Sequence, residues 1–173
     1  AFLAEEARKA EDFVGRDIAR MISREGKLLR PALVLLSARL GDTEDIDLVP
    51  IAASVEMIHL ATLIHDDIID GAISRRGAPA LHVHAGGTKA VLAGDGLLAR
   101  ALSIAGSHHS PDLFSFLTAR IEELCRAEIL QDASCGDLAV AREDYMHRID
   151  GKTAALLRLA CRAGADSTGA ETK

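Results

Sequence analysis

The segment LIHDDIIDGAISRRG, residues 63–77, places three aspartates and two arginines within fifteen positions, directly after an apolar run. Carboxylates are hard oxygen ligands, suited to Mg²⁺ bound partly through water and partly through a substrate phosphate. Guanidinium groups carry forked donors that match phosphate oxygens. Acids for a metal beside arginines for phosphate is the chemistry of a diphosphate site. In a helix, about 100° per residue puts Asp66 and Asp70 within about 20° of His59 on one stripe, with Asp67 about 80° to one side. Two carboxylates one turn apart repel each other unless a cation lies between them. The plain alternative is a solvated acidic helix end. Acids there oppose the helix dipole, however, and these follow an oily stretch, which favours the metal reading.

Helical periodicity supplies the elements that must hold these residues. A first helix is predicted over residues 3–22. GKLLRPALVLLSARLG then opens with a Gly break, has Pro in a first turn and ends at Gly41. DTEDIDLVP offers caps for a helix over roughly 47–70, apolar on nearly all sides from 51 to 64, as in the middle of a bundle. GAISRRGAPALHVHAGG reads as a loop by its Gly and Pro. Further helices are predicted over 88–105, 112–133 and 142–163, with breaks at GSHHSPD and SCGDLAV and a polar tail, GADSTGAETK. No strand alternation persists. The expectation is an all-α bundle of about six helices forming a single domain over residues 1–173.

Composition narrows the function. With 173 residues, 49% of them apolar, the chain can build a core, and Ala and Leu favour helix. A net charge of −6 argues against a nucleic-acid binder. Cys125, Cys135 and Cys161 are odd in number and form no C-x-x-C, so reduced thiols in a cytoplasmic protein are expected. No run of about eighteen uncharged apolar residues suggests a transmembrane segment. The N-terminus is not a signal peptide by its charge, and the missing initiator Met points to a trimmed chain. The histidines at 82, 84, 108 and 109 raise a zinc alternative that lacks partners at zinc-like spacing.

DDIID followed by RRG resembles the first aspartate-rich motif and arginine pair of the trans-isoprenyl diphosphate synthases, the polyprenyl synthetase family. GKLLRP, VEMIHLATLIHDD, AVLAGDGLLARA, and EILQD with YMHRIDGKTAALL resemble further family motifs in order and spacing, over roughly residues 20–163. The resemblance implies an isoprenoid synthase bundle. It also implies a homodimeric, Mg²⁺-dependent prenyltransferase that joins isopentenyl diphosphate to an allylic diphosphate. By it, Asp66, Asp67 and Asp70 hold Mg²⁺ against the allylic diphosphate, which Arg75, Lys152 and Thr153 also touch. Lys27, Arg30, His59 and Arg76 hold isopentenyl diphosphate, and Gln131 supports the acidic helix. Ala61 and Thr62 stand where bulky aromatics stop chain growth in the family, and Gly96 where an aromatic often follows Gly-Asp. All three are small, so the implied product is a medium- or long-chain polyprenyl diphosphate.

The family's second aspartate-rich motif has no counterpart after Lys152. A chain truncated before that motif, and inactive alone, competes with a short non-catalytic subunit of a heteromeric synthase. The intact first-half motifs favour truncation. A class I terpene cyclase would share the acidic motif but not GKLLRP or RRG, and would carry more aromatics than this chain's 3%. A plain helical interaction module would leave the ordered motifs coincidental.

Overall fold

Pro31 falls in the first turn of the first described helix, where its missing N–H leaves no intrahelical bond unmade. The structure is a computed structural model and describes Glu5 and residues 27–44, 46–108, 110–136 and 142–170. The helices are α1 (Leu29–Ala38), α2 (Val49–Ile69), α3 (Leu81–Ala85), α4 (Gly87–His108), α5 (Pro111–Ala133), α6 (Arg142–Ile149) and α7 (Ala155–Ser167). A two-residue hairpin, β1 (Ser74–Arg75) with β2 (Ala78–Pro79), joins α2 to α3, and a single π-helical stretch, Asp150–Ala154, joins α6 to α7. The helix expected over residues 3–22 lies outside the described residues apart from Glu5, which is helical.

The chain divides into two compact units, residues 1–31 with 49–108, and residues 32–48 with 109–173. In the first, α2 packs along α4. Helix α2 buries Ile51, Val55, Met57, Ile58, Ala61 and Ile64 among others, so its even apolarity is that of a central helix. Helix α4 buries a stripe from Ala90 to Ala105 through small residues, which lets two backbones approach. By length and composition α4 could cross a membrane, with a mean hydropathy of 1.2 over its best 18 residues. Asp95 and Arg100 lie within this helix, so it holds no uncharged run of about eighteen residues.

In the second unit, Ser110 caps α5 by accepting a hydrogen bond from the Leu113 N–H (3.2 Å), with Pro111 at the first helical position. Gly164 of α7 lies against α1, where a Cβ would overlap the Val34 carbonyl oxygen. The Thr168 hydroxyl donates to the Ala38 carbonyl (2.9 Å), and the Asp42 N–H donates to the Thr168 carbonyl (3.0 Å), closing that contact. The helix expected over 142–163 is broken in two by the π stretch, which admits one extra residue into a turn.

Candidate active site

The acidic stretch is the last turn of α2, and a glycine ends it. Gly71 has φ +61°, its N–H bonds the Ile68 carbonyl (3.3 Å), and the Ala72 N–H bonds the Asp67 carbonyl (2.9 Å). This six-to-one and five-to-two pairing is a Schellman cap, which satisfies carbonyls that would otherwise be orphaned. Helix α2 thus stops one turn after Asp66. Asp66 is half-buried and Asp70 exposed, whereas Asp67 is only 1% exposed.

Asp67 is turned to the hairpin. Arg75 donates from Nε to its Oδ1 at 2.8 Å and from Nη2 to the same oxygen. That hydrogen bond and the neighbouring carboxylates hold the guanidinium pKa above its ordinary value. The segment read as loop is therefore partly a built turn. Arg76 (φ +51°) and Gly77 (φ +75°) occupy the two central positions, Arg75 pairs with Ala78, and positive φ at both is the type I′ geometry that matches strand twist. Arginine in this conformation costs about 1–2 kcal/mol. Leu28 (φ +43°), between Lys27 and Arg30, is the other non-glycine residue of this kind among the described residues. Both strained positions sit in segments that carry the assigned cations, the usual location of such strain.

His59 lies two to three turns back along α2 from the acids. Burial lowers its pKa first, and Arg30, Arg76 and Arg75 lower it further, to about 4. The half-buried imidazole is neutral at pH 7 because it is partly removed from water and faces the charges of Arg30, Arg76 and Arg75. Glu56, one turn earlier and 5% exposed, has its pKa raised by burial, against the pull of Arg30 and Arg76. Burial in turn lowers Arg30, against Glu56. Sequence reading assigned Glu56 no role, although it falls on the His59 stripe at helical spacing. Lys27 is exposed.

Helix α4 meets the back of the acidic turn. His65 Nε2 is 3.3 Å from Asp95 Oδ1, and a Cβ at Gly94 would overlap that nitrogen, so glycine makes room for the ring. Ala61 is 1% exposed, and the half-buried Thr62 donates its hydroxyl to the His59 carbonyl (2.8 Å). A Cβ at Gly96 would meet nothing within 4 Å.

Lys152 and Thr153 belong to the second unit, in the π stretch. Lys152 Nζ is 2.5 Å from Glu128 Oε1 of α5, and Gln131 follows one turn later, half-buried. Glu128 was given no role from sequence. It opens the EILQD motif, but only the packed helices bring it to Lys152.

Among the described residues no three His, Cys, Asp or Glu side chains are grouped to hold a metal, and His109 lies outside them. Asp66 and Asp70 offer hard oxygens at the end of one helix, and Asp67 is engaged by Arg75. This donor set fits Mg²⁺, which commonly uses one or two carboxylates and completes its shell with water and substrate phosphate.

The polyprenyl synthetase family model matches residues 13–173. The chain is 36% identical over 148 residues to heptaprenyl diphosphate synthase component 2 of Bacillus subtilis (strain 168), covering 86% of this chain and 42% of that protein. Among solved structures, heptaprenyl diphosphate synthase from Staphylococcus aureus superposes with a TM-score of 0.94 at 28% identity, covering 98% of this chain and 54% of that one. A polyprenyl synthase from Caulobacter crescentus CB15, complexed with calcium and isoprenyl diphosphate, gives 0.88 at 34% identity, covering 98% and 53%. The chain spans about half the length of the curated relatives it matches. The all-α fold is that of the isoprenoid synthases, and the chain belongs to the polyprenyl synthetase family.

Proposed function

We propose that this chain carries the first half of the active site of a trans-prenyltransferase, which condenses isopentenyl diphosphate with an allylic diphosphate in a Mg²⁺-dependent reaction. The observation that carries the reading is the neutral His59 among Arg30, Arg75 and Arg76, close in sequence to the acids that end α2. Three guanidinium groups acting on one half-buried imidazole, beside the acids that end α2, suit a multiply charged anion.

Lys27, Arg30, His59 and Arg76 bind isopentenyl diphosphate, with His59 donating as a neutral ring. The family resemblance assigns Arg75 in the first unit, and separately Lys152 and Thr153 in the second, to the allylic diphosphate. Asp66 and Asp70 would hold Mg²⁺, which neutralises charge on the leaving diphosphate when bound, while Asp67 orients Arg75. The allylic C–O bond breaks and its electron pair leaves with the diphosphate. The isopentenyl double bond supplies the pair for the new C–C bond, and a proton is then lost to the released diphosphate. The cationic side chains stabilise the departing group, and the apolar body of α2 keeps water from the allylic cation.

Small residues at Ala61 and Thr62 support a medium- or long-chain product. Incubation with Mg²⁺, farnesyl diphosphate and isopentenyl diphosphate, with products resolved by length, tests both points. Linear prenyl diphosphates are expected from a protein that also carries the second aspartate-rich half, shortened by Ala61→Phe. Cyclic hydrocarbons would assign a terpene cyclase and remove this reading. A second reading, as a subunit of a heteromeric synthase, is favoured by the relative named a synthase component. Activity appearing only on addition of a second protein would establish it over the homodimer.

A further inference from the structure

Lys152 is delivered by the π stretch Asp150–Ala154, and that stretch is clamped to α5 at two points. On one side Arg158 of α7 bridges Asp150 and Glu123, the latter at 3.1 Å. On the other, Lys152 Nζ meets Glu128 Oε1 at 2.5 Å. Between them lies Gly151, whose Cβ, if present, would stand 2.8 Å from the Ala127 methyl. The Glu128 side chain is 11% exposed and the Lys152 side chain 30%, so the carboxylate is the buried anchor and the ammonium its outer end. A π turn is a costly irregularity, commonly kept where a side chain must be aimed.

We propose that Glu128 is a positioning residue of the allylic diphosphate site, fixing the direction of the Lys152 ammonium. This rests on the functional reading above, which assigns Lys152 to that diphosphate. An ammonium has three donors, so it can hold a carboxylate and phosphate oxygens together. A lysine stem is flexible, and ordering it in advance removes rotamer entropy that binding would otherwise cost. Glu128 also brings a negative charge toward an anionic ligand. Position and charge therefore act in opposite directions, and the sign of a substitution's effect tells them apart.

Binding of farnesyl S-thiolodiphosphate with Mg²⁺, and separately of isopentenyl diphosphate, is measured by calorimetry on the wild type, Glu128→Gln and Glu128→Asp. Gln keeps the length and an acceptor without the charge, and Asp keeps the charge but withdraws it by one methylene. If Glu128 positions Lys152, Asp weakens the allylic analogue about tenfold, Gln stays within about twofold of wild type, and isopentenyl diphosphate is unaffected by either. Tighter analogue binding by Gln with wild-type binding by Asp would mean that charge governs and would overturn the proposal. Equal losses for both ligands would reduce Glu128 to a structural residue and overturn it too. A wild type that binds neither ligand brings down the functional reading as well. Binding of both, unmoved by either substitution, removes only the role of Glu128.

Discussion

His59 is the residue on which the electrostatics of the first unit converge. Its folded pKa of about 4 lies below the ordinary 6.5, through burial first and the arginines second. Between those values the unfolded chain binds more protons than the folded one, so stability falls as pH drops from 6.5 toward 4. The loss is no more than about 3 kcal/mol and is smaller to the extent that His59 is solvated. Thermal unfolding at about pH 7 and about pH 4.5 should show a larger loss for wild type than for His59→Asn. An identical loss in the two proteins would contradict the placement of His59 among the arginines. A bound diphosphate offsets the positive field, so it should raise the His59 midpoint by about one unit or more, measurable from the imidazole proton resonances.

At the scale of elements, two glycines in helices have opposite expectations. Gly164 faces backbone, and a Cβ there would overlap the Val34 carbonyl, so α1 and α7 must separate to accept a methyl group. Gly164→Ala is expected to cost about 3 kcal/mol or more in chemical denaturation, at the upper end of overpacking effects. Gly96 has open space around its Cα and lies within α4, so Gly96→Ala should stabilise by about 0.5–1 kcal/mol. Similar effects at the two sites would mean that α7 does not meet α1 as described. The same logic of close approach explains Gly94 under His65 and Gly151 against Ala127.

For the whole molecule, net charge and local charge disagree. The chain carries −6 and its proposed substrates are anions, so the distant field opposes binding. Arg30, Arg75 and Arg76 all act electrostatically on His59, and such interactions are screened by salt. Raising the salt concentration from about 0.05 to about 0.5 M should therefore weaken inorganic pyrophosphate binding several-fold. Stronger binding at high salt would place control with the overall charge instead. Helix α4 leaves Val91 and Leu92 exposed.

The sequence by itself determined the helical class, the central place of α2, and the assembly of acids, histidine and arginines on one helix and the segment after it. Periodicity and local spacing suffice for these, since residues separated by one to three turns share a face whatever packs around them. The hairpin at Arg76–Gly77 was partly legible, as Gly in its second central position is the local signal for such a turn. Tertiary structure alone decided that Asp67 is buried under Arg75 rather than grouped with Asp66 and Asp70. It alone brought Glu128 to Lys152, and split the last predicted helix at a π turn. These depend on how helices distant in sequence press together, because burial and charge pairing across elements are set by the packed neighbours and leave no periodic trace in the chain.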